Sequence, residues 1–585
     1  MAWNLDALMP GGAGGAQHAG RDALSRAKAF ARAHRGRVAG YEAAELSAAC
    51  AELEQLHEVL ATADAYATFR FDADSDPPEH GALLSELEEI AAAIETETTF
   101  FDLEWLTIGD DRADRLLADP ALERYAHLLR VLRLTRPHRL SEAEERVLTE
   151  KALTGAGAWR RLFEEQLSAL TVELDGDALE LPEAIALLSS ADRSERRRVA
   201  EAVTTALAPG LRTRTRALNV LVADHALDDR LRAYPSWLAA RNLENEASDE
   251  SVRALADAVA ARNDIPQRWA RVKAATLGLD RLADYDLSAP VGPPPPVVSW
   301  THARELVIAS YASFSDQLGR HVTRFFDERW IDAEARSGKT PGAYCAPTTP
   351  ACHPYVLVNF AGRLDDVLVL AHEIGHGLHY LLAAPRGVLA IHTPVTVAET
   401  ASVFGETLTF AHLLGQTQDP VRRWGLLAAQ LDETVATVFR QIAIHSFEEA
   451  IHTERREQGE LSGERIGELW LAANRAMFGD TVEFSPGYAT WWSYVSHVFA
   501  APGYVYAYAY GQLLALSLYA RYLDEGEAFV PRYLRLLEAG GSRSPHELAA
   551  YAGVDLADPG FWSAGIALID TRLAEAELAG RSVTP

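Results

Sequence analysis

The stretch Leu370-Ala371-His372-Glu373-Ile374-Gly375-His376-Gly377-Leu378-His379 decides how the rest of the chain is read. It contains His-Glu-x-x-His, two histidines four residues apart with a glutamate after the first. On an α-helix, i and i+4 side chains lie one turn apart on one face, so two imidazoles can converge on one ion. Glu373 then sits beside the ion, where it can handle the proton of an attacking water. On a helical wheel, Val367, Leu370, Ala371, Ile374, Leu378 and Leu381 form an apolar stripe, the expected core face. His372, His376 and His379 fall on the other side and are expected to point together away from the core. Asp365 and Asp366 are expected to cap the helix start, and Pro385 and Gly387 to end it.

A catalytic zinc needs a third protein ligand and an open position for water. A histidine six residues after His376 would serve, but that position is Leu382. The alternative is a glutamate from a following helix, and the segment from Thr393 to Glu406 supplies one. Val397, Ala401, Phe404 and Leu408 make its core stripe and leave Glu399 and Glu406 opposite. Glu399 is expected as the third ligand. Glu406 is read as an acceptor orienting a ligand histidine, with a solvated glutamate as the alternative.

Upstream, Pro354 to Phe360 is the clearest strand candidate. It could pair with an extended peptide or simply cover the core. Ala289 to Val298, with four prolines at 293–296, reads as a stiff connector. Ser299 is expected to N-cap a long helix through Phe325. The first 280 residues are rich in Ala, Leu, Glu and Arg with apolar steps of three and four, as in Leu53, Leu56, Val59 and Leu60. Ser141 with Glu144 has the capping-box arrangement, and Ser248 precedes two acids of a first turn. The basic run from Arg193 to Arg198 is expected to decorate a solvated helix face.

The 585 residues carry a net charge of −28, with 48% hydrophobic and 24% charged residues. That composition fits a soluble globular chain of one to three domains and argues against nucleic acid or an anionic membrane as partner. Cys50, Cys345 and Cys352 do not make a disulfide framework, and free thiols in a reducing compartment are expected. No signal peptide or membrane span is expected, so the location expected is cytoplasmic.

Glu399 follows His376 by 23 residues, and the segment Ala398 to Glu406 resembles the ligand helix of the thimet oligopeptidase family, in particular its oligoendopeptidase F branch. Tyr285 to Pro290, Gly342 to Cys345 and His353 to Phe360 resemble blocks of that branch in the same order. His497 followed by Pro502 to Tyr508 is similar to its histidine- and tyrosine-bearing substrate loop, and Trp3 to Asp6 to its start. The last tyrosine spacing departs from the thimet pattern, where Gly511 falls instead. The resemblance implies a mainly α, two-lobed metallopeptidase with a deep substrate channel, a small β-sheet beside the active site and one zinc per chain. It also implies oligopeptide substrates rather than folded proteins. An N-terminal helical region, residues 1–200, is expected to form part of the channel wall, and residues 201–585 the catalytic domain.

On this reading His372, His376 and Glu399 hold the metal and Glu373 is the general base. The resemblance gives His497 and nearby tyrosines the developing oxyanion. Tyr504 and Tyr508 share a helix face, as do Tyr506 and Tyr510, whereas all four would share one face of a strand; Tyr504 and Tyr508 are preferred. His379 is expected to be structural. Two rival functions stand beside the endopeptidase: a zinc carboxypeptidase or dipeptidase of similar helical fold, and a non-catalytic zinc-stabilised peptide-binding protein.

Overall fold

The computed structural model describes residues 2–293 and 297–583. The chain is 72% helical, so it is mainly α. It packs into two compact units, each made of three segments. The first comprises Met1–Arg136, Pro296–Gly415 and Leu518–Asp555, the second Pro137–Pro295, Gln416–Ser517 and Leu556–Pro585. This differs from the contiguous division expected at residue 200, because helices distant in sequence share each core. Of the expected connector, residues 294–296 lie outside the described residues.

In the first unit, the helices Gly12–His34, Ala43–Ala73 and Pro78–Thr98 bury Ala16, Ala23, Leu56, Ala63, Leu83 and Leu87 against one another. The small alanines allow this close approach. The Trp3 indole ties the chain start to a three-stranded sheet, donating to the carbonyls of Trp330 (3.1 Å) and Val356 (3.0 Å). In that sheet Tyr355–Phe360 is the central strand, parallel to Ile331–Glu334 and antiparallel to Tyr344–Ala346. The strand expected at 354–360 is therefore present. The helix expected from Ser299 to Phe325 is two helices, Trp300–Phe314 and Asp316–Asp327. Ser299 caps the first, and Ser315, in extended conformation, interrupts the run and caps the second.

The second unit is organised around Val199, Val203, Leu218, Phe447, Trp470, Trp492 and Phe499. The caps expected at Ser141 and Ser248 are formed. The basic run from Arg193 to Arg198 is only partly a solvated face. Arg196 is 1% exposed and pairs at 2.8 Å with Asp286, a fully buried carboxylate that Arg193 also engages at 2.9 Å. Burial works against the charge of Asp286, but Arg193, Arg196 and the Ala283 N–H together hold its pKa below the usual range.

Candidate metal centre and catalytic site

The motif lies on the helix Leu364–Ala383 of the first unit. Its start is fixed as expected by Asp366, whose carboxylate accepts from the N–H groups of Arg363 (2.8 Å) and Ala361 (2.9 Å). Its end passes through a short turn to Gly387, which has φ 91°, a conformation that favours glycine. Leu370, Ala371, Ile374 and Leu378 are buried, as their stripe requires. Among the described residues this is the one helix long and apolar enough to cross a membrane, and 61% of its apolar window is buried inside the protein. It is the core helix of its unit. Tyr311 Oη donates 2.8 Å to the Ala371 carbonyl and holds the helix from the side.

His372 and His376 present their rings 5.0 Å apart and nearly perpendicular. Their Nε2 atoms lie 3.2 and 3.5 Å from one oxygen of Glu399. One donor atom from each of the three residues lies within 4.8 Å of the other two, the single such group among the described residues. Two imidazoles and a carboxylate are the donor set of a catalytic zinc with a position left open, so the residues present fit that ion. The second nitrogen of His372 is also held: its Nδ1 lies 3.4 Å from Glu406 Oε2. Fixing the outer nitrogen sets which inner nitrogen is free to ligate.

Glu399 does not sit on a regular helix. The segment expected as one helix is a short turn, Val395–Ala398, followed by Ser402–Gln416. Glu399 caps the turn, and the Ser402 hydroxyl donates to its carboxylate at 2.6 Å and to its carbonyl at 3.1 Å. Serine offers the backbone this local alternative to helix, which explains the break. Burial works against the Glu399 charge, but the two imidazoles and Ser402 hold it down to about 2.

Glu373 is 7% exposed and faces the strand Tyr344–Ala346, whose Cys345 N–H donates to it. The small sheet is therefore beside the site, as expected. Burial pushes Glu373 up to about 7 against the pull of His372. His379 corrects the helical wheel. It is 3% exposed, its Nε2 has no partner, and burial drives it down to about 3, so it is a neutral packing residue rather than one of the converging histidines.

His497, Tyr504 and Tyr508 belong to the second unit and come together there. His497 Nε2 hydrogen-bonds with Tyr508 Oη at 3.1 Å, the His497 and Tyr504 rings stack at 5.9 Å, and Tyr504 meets Tyr508 edge-on at 5.4 Å. Tyr506 and Tyr510 are fully buried, Tyr506 bonded to Asn242 and Asn245 and Tyr510 to Ser251. The turn at Tyr504 and the helix Tyr506–Glu525 that follows it thus separate the two pairs. The sequence reading missed Tyr380, although it stands four residues beyond His376 and so on the same helix face; its ring lies 6.5 Å from that of His376 at 20°.

A helical unit presenting His-Glu-x-x-His opposite a carboxylate as third ligand has the donor set of a metallopeptidase. The comparisons with known proteins agree. The family model described as Peptidase family M3 matches residues 312–568 and that described as Oligopeptidase F matches residues 104–171, together more than half of the chain. The chain belongs to peptidase family M3 and is a metallopeptidase. It is similar to oligopeptidase PepF of Bacillus subtilis (26% identical, covering 90% of this chain and 79% of that one). Group B oligopeptidase PepB of Streptococcus agalactiae is also 26% identical, over 88% and 86%. In fold it resembles oligoendopeptidase-F from Enterococcus faecium (TM-score 0.71, 22% identical, covering 95% and 97%). A protein from Chlamydophila abortus is likewise similar in fold (TM-score 0.86, 23% identical, 92% of each chain).

Proposed function

We propose that this protein is a zinc-dependent endopeptidase that cleaves internal bonds of oligopeptides in the cytoplasm. The observation that carries the reading is the convergence of His372, His376 and Glu399 with Glu373 directly beside them. The substrate class is carried over from the relatives, which are named oligopeptidases. A reducing location accords with the three free cysteines.

His372, His376 and Glu399 would hold one zinc, which when bound supplies a Lewis acid and eases deprotonation of water near neutral pH. Glu373 takes the proton of the attacking water and delivers it to the leaving amine. Its burial suits this role, because a carboxylate pushed up to about 7 is basic enough to accept a proton and acidic enough to return it. Glu406 keeps the His372 ring in the tautomer that ligates. His497, Tyr504 and Tyr508 are assigned the developing oxyanion, toward which hydrogen-bond donors contribute a few kcal/mol, about 3 in measured cases. Their mutual hydrogen bond and ring contacts support treating them as one group.

The test is Glu373→Gln assayed on a peptide blocked at both ends. The parent is expected to cleave that peptide, which neither a carboxypeptidase nor a dipeptidase can do. The variant is expected to bind zinc in equal amount and to lose cleavage. Full turnover by the variant would remove Glu373 from the mechanism. A parent that binds zinc and peptide without cleaving would leave the non-catalytic reading.

A further inference from the structure

Tyr380 occupies an unusual position for a tyrosine. It lies one turn beyond His376, with its ring almost parallel to that imidazole and edge-on to His392 at 6.1 Å. Its side chain is half-buried, and among the described residues its hydroxyl makes no hydrogen bond. Three other tyrosines of this unit are paired: Tyr311 donates to Ala371, Tyr533 to Thr400 and Tyr344 to Asp72. The hydroxyl is not sealed inside the protein, so an acceptor from outside can reach it. A bound ligand can supply that acceptor.

The surroundings specify which ligand. Glu373, His376 and Tyr380 follow one another at steps of three and four on the helix Leu364–Ala383, so the phenol shares a face with both. An ordinary phenol is protonated at neutral pH and donates. The phenol is a neutral donor, and the acceptor that recurs along an extended peptide substrate is its backbone carbonyl.

We propose that Tyr380 is a substrate-binding residue whose hydroxyl donates a hydrogen bond to a backbone carbonyl of the peptide held in front of Glu373. The inference rests on the peptidase reading of this site and adds to it a residue that holds the substrate. The rival role is packing, in which the ring only steadies His376.

Tyr380→Phe keeps the ring and removes the donor. The affinity of a short blocked peptide is measured by calorimetry on zinc-loaded Glu373→Gln and on the double variant Glu373→Gln/Tyr380→Phe. We expect the double variant to bind about tenfold more weakly, with zinc content and melting temperature unchanged. In the single variant KM rises by the same factor at constant kcat. Equal peptide affinity in the two proteins overturns the proposal, and so does a weakening accompanied by lost zinc, which would make Tyr380 a support for His376. Neither result touches the assignment of Glu373, which stands or falls on cleavage by the Glu373→Gln variant alone.

Discussion

A Cβ placed on Gly375 would lie 2.4 Å from the carbonyl oxygen of Ala401 and 2.6 Å from the Cα of Ser402. The glycine between the two motif histidines is thus where the motif helix touches the backbone of the segment that carries Glu399. Both neighbours are main-chain atoms, so neither can step aside as a side chain would. Gly375→Ala must push the histidines and Glu399 apart. We expect a stability loss of about 1–3 kcal/mol, typical of overpacking, together with at least a tenfold loss of zinc affinity. Zinc titration of the folded variant checks this, and parental affinity would show that the contact yields.

Glu406 acts on the metal only through His372. Its Oε2 lies 3.4 Å from His372 Nδ1, a long contact that still fixes the ring. Glu406→Gln retains an acceptor but loses the charge that raises the basicity of the ligand nitrogen. Zinc affinity is expected to fall about 10- to 100-fold, the usual effect of removing such a partner, with activity recovered in excess zinc. Activity that stays low at saturating zinc would mean that Glu406 has another role.

Removing zinc with a chelator should abolish cleavage while leaving the helical content intact. The motif helix is held by buried Leu370, Ile374 and Leu378 and by the Tyr311 bond to Ala371, none of which needs an ion. Structural zinc sites behave oppositely, because their folding energy is the binding energy. Far-ultraviolet circular dichroism of the chelated protein decides the matter, and a cooperative loss of helix on chelation would assign zinc a structural role.

What the sequence made legible was local or periodic. The motif helix, its Asp366 cap and the strand before it follow from short-range rules, and Glu399 follows from counting ligands. The misreadings came from side chains whose partners lie far along the chain. Arg196 reads as solvated because nothing near it reveals Asp286, 90 residues on, which makes burial acceptable. His379 falls on the histidine side of a wheel, yet Leu382 and Ala383 beside it are buried too, and the helix is enclosed more widely than its apolar stripe predicts. The break at Ser402 depends on one hydroxyl choosing Glu399. Tyr506 and Tyr510 could be told from Tyr504 and Tyr508 only once Asn242, Asn245 and Ser251 were in place to satisfy them.

Glu448 gives a prediction that depends on pH. Its carboxylate is fully buried on the helix Arg440–Gln458, with Oε1 accepting from the Gly503 N–H at 3.2 Å and Oε2 left without a partner. Gly503 belongs to the turn leading to Tyr504, so this carboxyl holds the base of the tyrosine cluster. Arg241, which donates to the Pro502 carbonyl, acts on Glu448 and only partly offsets burial. His445 and His452 on the same helix are themselves kept neutral by burial. Burial pushes Glu448 up to about 8 from an ordinary 4.5. Between those values the folded protein keeps a proton that the unfolded chain has released, so stability falls as pH rises across that window and levels off above it. Each unit of difference is worth about 1.4 kcal/mol, an upper bound once water enters the site. Glu448→Gln can accept from Gly503 without ionising. Its melting temperature should match the parent near pH 4.5 and exceed it progressively up to about pH 8. Parallel melting curves for the two proteins across that range would show that Glu448 is charged in the folded state.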